Sequence, residues 1–247
     1  MKGLAREGKG GEHSIPVISF WSALLGVTTG RPHTFRSIAA APRTGVVAVV
    51  LIVASLATGS LVVSRLDLSS RAEAALEERL GRPPTEAELE LAAWAGRVAL
   101  YVSAWVMPGV WLALLAFTAW ALRVSWERRD RPTFPVMFSL CVYSFTPPAL
   151  LEGLLRAIVA VHRGVVMAGE TGSLLRANLR ALLDDEIHPV LGAAAQSLDV
   201  FDGWWAILLA WALVEGAGLS RTGAVARVAG VMAGLALGKT AIVLLAG

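Results

Sequence analysis

The sequence predicts an all-α polytopic membrane protein, a bundle of five transmembrane helices with interfacial amphipathic helices. Three observations predict it. Of 247 residues, 55% are apolar and only 17% charged, with a mean hydropathy of +0.62; soluble domains lie nearer about 45–50% apolar and about 25% charged. The apolar residues fall in five long runs, and the charges gather between them, as in an integral membrane protein. Lipid offers backbone groups no partners, so these runs must be helices.

In chain order, residues 1–14 read as a disordered cytoplasmic tail. They lack the apolar h-region of a cleavable signal, and GKGG at 8–11 is too short and unframed for a phosphate loop. Residues 15–43 read as an amphipathic interfacial entry segment, with Val17, Trp21, Leu24 and Leu25 near one helix face. A five-span membrane domain follows over 44–247. Its spans are expected at about 44–63, 98–124 with a kink at Pro108, 135–161, 203–219 and 224–245, roughly 17–27 residues each, the length needed to cross about 30 Å of hydrocarbon. Ser70 and Glu73 read as a capping box for a helix ending at Gly81. Thr85 and Glu88 repeat that box after Pro83 and Pro84, so a helix can run from there into the second span. A further amphipathic helix is expected over 172–183.

Orientation follows from lysine and arginine. Lys2, Arg6, Lys9, Arg31, Arg36 and Arg43 precede the first span. Arg123, Arg128, Arg129 and Arg131 join the second and third spans, and Arg221 and Arg227 join the fourth and fifth. With five spans all three groups share one side. The expected location is the bacterial cytoplasmic (inner) membrane, N-terminus cytoplasmic and C-terminus outside. Trp94, Trp126, Trp204 and Trp205 fall at predicted span ends, as an aromatic belt would.

Charge inside a span points to function by default. The predicted intramembrane polar cluster is Glu152, Arg156 and Lys239, with Tyr143, Ser144, Pro147 and Pro148. At 1.5 Å per residue, Glu152 lies about 26 Å along the third span and Lys239 about 23 Å along the fifth, so a Glu152–Lys239 pair is geometrically open. Arg156 can snorkel or meet Asp199 or Asp202. Glu215 lies within reach of Arg221 or Arg227. Pro147 and Pro148 leave the Tyr143 and Ser144 carbonyls without their helical donors, beside the Ser144 and Thr146 hydroxyls. The plainer reading of the cluster is ion pairs that fix helix register; the other is proton or ion handling.

Ala226, Gly230, Gly234 and Gly238 repeat every four residues in the fifth span. They form a glycine-zipper face for close helix packing, within the chain or against a second protomer. The remaining motifs carry little chemistry. ALEERLGRPPTEAELELA (75–92) is similar to helix–turn–helix strings of bacterial sigma factors, but it lies between two spans on the non-cytoplasmic side. Adjacent helix-stop and helix-start signals produce the same string, and no nucleic-acid partner is expected. DDEIH (184–188) could hold a divalent cation loosely, but a solvated acidic helix end is the plainer reading. The four histidines lack ligand spacing, Cys141 has no histidine near it in sequence, and no HExxH, GxSxG or P-loop occurs. No metal, cofactor or enzymatic activity is expected.

Three stretches resemble the bacterial members of the Yip1 family: LLGVTTGRPHTFRSIAAAP (24–42), TFPVMFSLCVYSFTPPALLEGLL (133–155) and SLDVFDGWWAILLAWALVEGAGLSRTGAVA (197–226). The first is similar to the family's entry before its first span. The second resembles its third span, where a tyrosine or serine precedes a proline. The third resembles its fourth span and the entry to the fifth. The resemblance implies a five-helix bundle with a cytoplasmic N-terminus, acting as a non-enzymatic scaffold or adaptor that organises or binds membrane components. The partners it implies are the lipid bilayer, other membrane proteins or a second copy. The family's Asp-Leu-Tyr-Gly-Pro motif is absent and the tail is short, which counts against small-GTPase binding. The alternative to a scaffold is a small transporter or channel-like protein using Glu152, Arg156 and Lys239.

Overall fold

The computed structural model describes residues 19–126, 131–167, 175 and 199–246. The helix expected at 172–183, the DDEIH segment and the tail at 1–14 lie outside them, as do the side chains of Ser70 and Lys239. The described part is all-α: α1 (Phe20–Thr28), α2 (Pro32–Ala40), α3 (Gly45–Ser64), α4 (Ser69–Leu80), α5 (Glu86–Val124), α6 (Phe134–Arg163), α7 (Val200–Ala217) and α8 (Arg221–Ala246). Two dipeptide strands, β1 (Leu66–Asp67) and β2 (Val166–Met167), pair in parallel. Four helices, α3, α5, α6 and α7, are long and apolar enough to cross a membrane. The fifth expected span coincides with α8, a helix of 26 residues.

Helix boundaries follow local chemistry. Thr85 Oγ1 accepts from the Glu88 amide, while Glu88 Oε2 accepts from the Thr85 amide at 2.8 Å. This closed capping box starts α5 at Glu86, 12 residues before the expected span. With 39 residues α5 is about 58 Å long, well beyond the about 30 Å of hydrocarbon. The Ser70–Glu73 box does not start α4. That helix begins one residue earlier at Ser69, and the Asp67 carboxylate accepts from the Ser69 amide at 2.9 Å. Ser70 is therefore already inside the first turn. Gly81, Gly164 and Gly218, all at positive φ, end α4, α6 and α7.

α6 is the hub. Of its most apolar stretch 56% is buried, against 28% or less in α3, α5 and α7. It packs against α1, α2, α3, α5 and α7. β1 and β2 join the ends of α3 and α6, where Val63, Leu66, Ala160 and Val166 form a small second core.

The entry segment is built differently from a helix lying on the interface. It folds as an α1–α2 hairpin whose Val27, Phe35 and Ile38 are buried in the main core. α2 packs on α6 and α7. Trp21 and Leu25 point outward, 68% and 65% exposed, so α1 is apolar on both faces. The hairpin needs small residues: a Cβ on Gly26 would lie 2.1 Å from Thr34 Oγ1, and Gly30 turns at φ 64° against Trp211.

Two of the four expected belt tryptophans are core residues: Trp126 is 9% exposed and Trp205 3%. Trp205 packs edge-on against Phe145, which in turn meets Trp111. Trp126 lies under the Arg227 guanidinium, 5.0 Å from its ring centroid. Proximity to a span end does not make a tryptophan interfacial when the same helix face packs inward.

Candidate functional site

α6 runs unbroken from Phe134 to Arg163 through Pro147 and Pro148. Neither proline can donate to the carbonyl one turn back. The nearby hydroxyls do not replace those donors: Ser144 Oγ donates to the Cys141 carbonyl at 3.0 Å and Thr146 Oγ1 to the Val142 carbonyl at 2.7 Å. A serine or threonine hydroxyl in a helix reaches carbonyls three or four residues before its own; here both choose Cys141 and Val142, which precede the two that the prolines leave free. Both prolines are buried, so this part of α6 faces neighbouring helices.

The predicted polar cluster divides in two. Glu152 Oε1 and Arg156 Nη2 are 2.5 Å apart, one turn apart on α6. Tyr143 instead donates its hydroxyl to the Arg43 carbonyl at 3.2 Å, tying α6 to the start of α3. The nine residues from Tyr143 to Glu152 carry the helix through about two and a half turns, which sets them on opposite faces. Ser144 and Pro147 are buried with the Tyr143 group. The Glu152–Lys239 pair depends on a side chain outside the described ones.

Glu152, Arg156 and Pro148 line a cavity of about 500 Å³ between α3, α5, α6 and the start of α7. Its far end is apolar, with Leu51, Trp111, Leu115 and Phe145. Its polar lining is Glu152 and Arg156 from α6, Asp199 and Asp202 from the start of α7, and the hydroxyls of Ser55, Thr58 and Ser103 from α3 and α5. Asp199 is the N-cap of α7, its Oδ1 accepting from the Asp202 amide at 2.7 Å. Asp199 and Asp202 line the same cavity as Arg156, whose ion-pair partner is Glu152.

Two buried donors of residues lining this cavity, Trp205 Nε1 and Arg156 Nε, have no hydrogen-bond partner among the described residues. Sequence reasoning missed Trp205 by placing it in a belt. A signal existed: Asp199 caps the helix, and Asp202 and Trp205 follow at spacings of three, which share a face.

Glu215 pairs with neither Arg221 nor Arg227. Its Oε2 lies 2.6 Å from Arg36 Nη2 on α2. Arg227 is drawn away to the end of α5, where it donates to Ser125 Oγ at 3.0 Å and to the Ser125 carbonyl at 3.1 Å.

The glycine face of α8 has no partner among the described residues. A Cβ added at Gly230, Gly234 or Gly238 would meet no atom within 4 Å. An adjoining face, with Ala224 and Val228, packs into the core. Of the two partners the sequence allows, another span of this chain or a second protomer, the described residues supply neither. Among the described residues no three His, Cys, Asp or Glu side chains gather to hold a metal ion. No family profile, curated protein or solved structure matches this chain.

Proposed function

We propose that this chain is a non-enzymatic, multi-pass membrane protein that binds or organises other membrane components, in the manner of a Yip1-like scaffold or adaptor. The observation that carries this reading is the Glu152–Arg156 pair, closed at 2.5 Å, at the polar end of a cavity whose far end is apolar. Pairing sets the two formal charges against each other, and Leu51, Trp111, Leu115 and Phe145 make much of the remaining lining apolar. A polar mouth leading to an apolar cleft suits a molecule that is itself amphipathic.

The topology that goes with this reading has five spans, α3, α5, α6, α7 and α8, in a bacterial inner membrane. The N-terminus is cytoplasmic and the C-terminus outside. It is supported by Arg43, Arg123, Arg131 and Arg221, each within a few residues of a helix end that five alternating spans bring to one side. The open glycine face of α8 is the contact for a second copy or another membrane protein. Cysteine labelling at position 180 is expected to react from outside; labelling from the cytoplasm would reject the five-span arrangement.

The second reading, a small transporter or channel-like protein using Glu152, Arg156 and Lys239, draws on one observation, the cavity that reaches the first two of these residues. Reconstituted vesicles separate the two. A scaffold gives the same ion and proton flux for wild type and Glu152→Gln. Any flux that the substitution alters replaces the scaffold with the transporter.

A further inference from the structure

We infer that the α1–α2 hairpin is re-entrant: its turn at Gly30 lies within the hydrocarbon of one leaflet, where Arg31 holds the phosphate of a phospholipid. The inference rests on the reading of the chain as a multi-pass membrane protein and names a component that it binds.

Three helices give a common depth scale. α3 and α6 run parallel, as do the strands that follow them. A Cβ on Gly153 would lie 3.4 Å from Thr58 Oγ1, which sets α6 against α3 in register. Thirteen residues earlier on both helices stand Leu140 and Gly45, the first residue of α3. A Cβ on Gly216 would lie 2.7 Å from the Leu140 side chain. So α3 begins and α7 ends at one level. With 20 and 18 residues, these helices are about 30 and 27 Å long, which matches a hydrocarbon core of about 30 Å. Neither has length to spare, so that level is the edge of the hydrocarbon.

The hairpin passes this edge. A Cβ on Gly30 would lie 2.8 Å from the Trp211 ring, and one on Gly216 would lie 3.1 Å from the Phe35 carbonyl oxygen. Trp211 stands five residues before Gly216, about 7.5 Å deeper in the membrane. Gly30 stands five residues before Phe35, so α2 and α7 report the same descent. α1 returns alongside α2: Gly26 meets Thr34, each four residues from Gly30. That carries Leu25 to the edge and Trp21 about 6 Å beyond it, at the level where indoles settle. Both side chains are exposed.

The turn suits a medium without water, where backbone groups need partners in the protein. The Thr28 and Thr29 hydroxyls donate to the Leu24 and Leu25 carbonyls at 2.8 Å. The amides of Thr29, Gly30 and Arg31 donate to the Leu25, Val27 and Gly26 carbonyls at 3.0, 2.9 and 2.8 Å. Pro32, the first residue of α2, has no N–H to satisfy.

Arg31 is the exception. It is exposed at this depth and forms no ion pair among the described residues. A guanidinium in hydrocarbon is costly, and its aliphatic stem lets it rise toward the surface. The anion it meets there is a phospholipid phosphate, which a guanidinium takes with two parallel N–H···O bonds. Phosphate is common to phospholipids, so the contact selects no headgroup.

The test uses the full-length protein in phosphatidylcholine vesicles, with Cys141→Ala and one nitroxide label at a time on Thr29→Cys, Ala40→Cys or Ile207→Cys. Power saturation with oxygen and a water-soluble nickel chelate reads depth. Labels at 29 and 207 are expected to favour oxygen, and the label at 40 the chelate. A label at 29 as open to the chelate as the one at 40 overturns the re-entrant hairpin. If circular dichroism shows that Thr29→Cys does not fold, Thr28→Cys takes its place. Native mass spectrometry then follows the most tightly held phospholipid. Arg31→Gln should weaken its retention about tenfold, equally for phosphatidylcholine and phosphatidylglycerol with matched acyl chains. Arg31→Lys, which keeps the charge, should recover part of the loss. Unchanged retention in Arg31→Gln, or displacement of the lipid by excess inorganic phosphate, overturns the phosphate contact. A label at 207 that also favours the chelate removes the span of α7 and the multi-pass reading with it. A chelate-exposed label at 29 beside an oxygen-favouring one at 207 removes this inference and leaves that reading standing.

Discussion

Arg36 on α2 and Glu215 near the end of α7 form an ion pair of 2.6 Å across 179 residues of chain. The Arg36 side chain is 67% exposed and that of Glu215 19%, so the pair sits at the rim where the α1–α2 hairpin docks. Exposed pairs contribute about 0.2–1 kcal/mol. A double-mutant cycle with Arg36→Ala and Glu215→Gln, followed by denaturant unfolding in detergent, should return a coupling energy in that range that shrinks with added salt. A coupling indistinguishable from zero would mean that apolar packing alone docks the hairpin.

The apolar side of that docking has its own test. Gly26→Ala would put a methyl group 2.1 Å from Thr34 Oγ1 and 2.9 Å from its Cγ2. Thr34 is buried and cannot swing clear without disturbing Phe35 beside it. Overpacking of this kind costs about 1–3 kcal/mol, which should appear as lower thermal stability. Adding Thr34→Ala removes the two closest atoms and should recover most of the loss. A double variant as unstable as Gly26→Ala would show that the strain lies in the backbone.

These two contacts mark where sequence reading stopped. The long helices were legible because apolar run length, capping residues and glycine stops are local signals: Thr85 with Glu88, Gly81 and Gly164 each act within a few residues. The hairpin was not. Its amphipathic pattern suits an interfacial helix equally well, and only the neighbours show that Phe35 is buried and Trp21 is not. Charge partners were the least legible. Depth along a span narrows the choice to one level of the bundle, but at each level several helices compete. Glu215 went to Arg36 because α2 packs against α7, a fact that no local pattern in 31–43 encodes. Of the predicted cluster, Glu152 and Arg156, set by spacing on one helix, meet each other. The cavity and its orphaned donors arise from four helices at once and have no one-dimensional trace.

Asp67 gives a pH prediction. Its carboxylate accepts from the Ser69 hydroxyl and amide, which holds its pKa below the ordinary 3.8. A depressed pKa means that the folded form favours the charged carboxylate. The stabilisation is therefore complete above the unfolded value and is lost as pH falls through the lower folded one. Hydrogen-exchange protection at the first turn of α4, taken relative to the intrinsic rate at each pH, should stay high above pH 4 and fall at more acid pH. In Asp67→Asn that fall should be absent, with protection already lower at neutral pH. An identical acid response in both proteins would assign it to another group.

The open face of α8 separates packing within the chain from packing between chains. Since a Cβ at Gly230 or Gly234 would touch nothing within 4 Å, alanine there removes no contact in the monomer. Replacing a helical glycine by alanine gains roughly 0.5–1 kcal/mol of helix stability. Gly230→Ala and Gly234→Ala should therefore unfold at the same temperature as wild type or slightly above it. Isoleucine at the same positions tests the other side: it would block the close backbone approach that small residues permit. If a second copy uses this face, the isoleucine variants should run as monomers in detergent while wild type runs as a larger species. If alanine instead lowers stability, a neighbour within the chain covers the glycines, and α8 packs on that face against residues beyond those described.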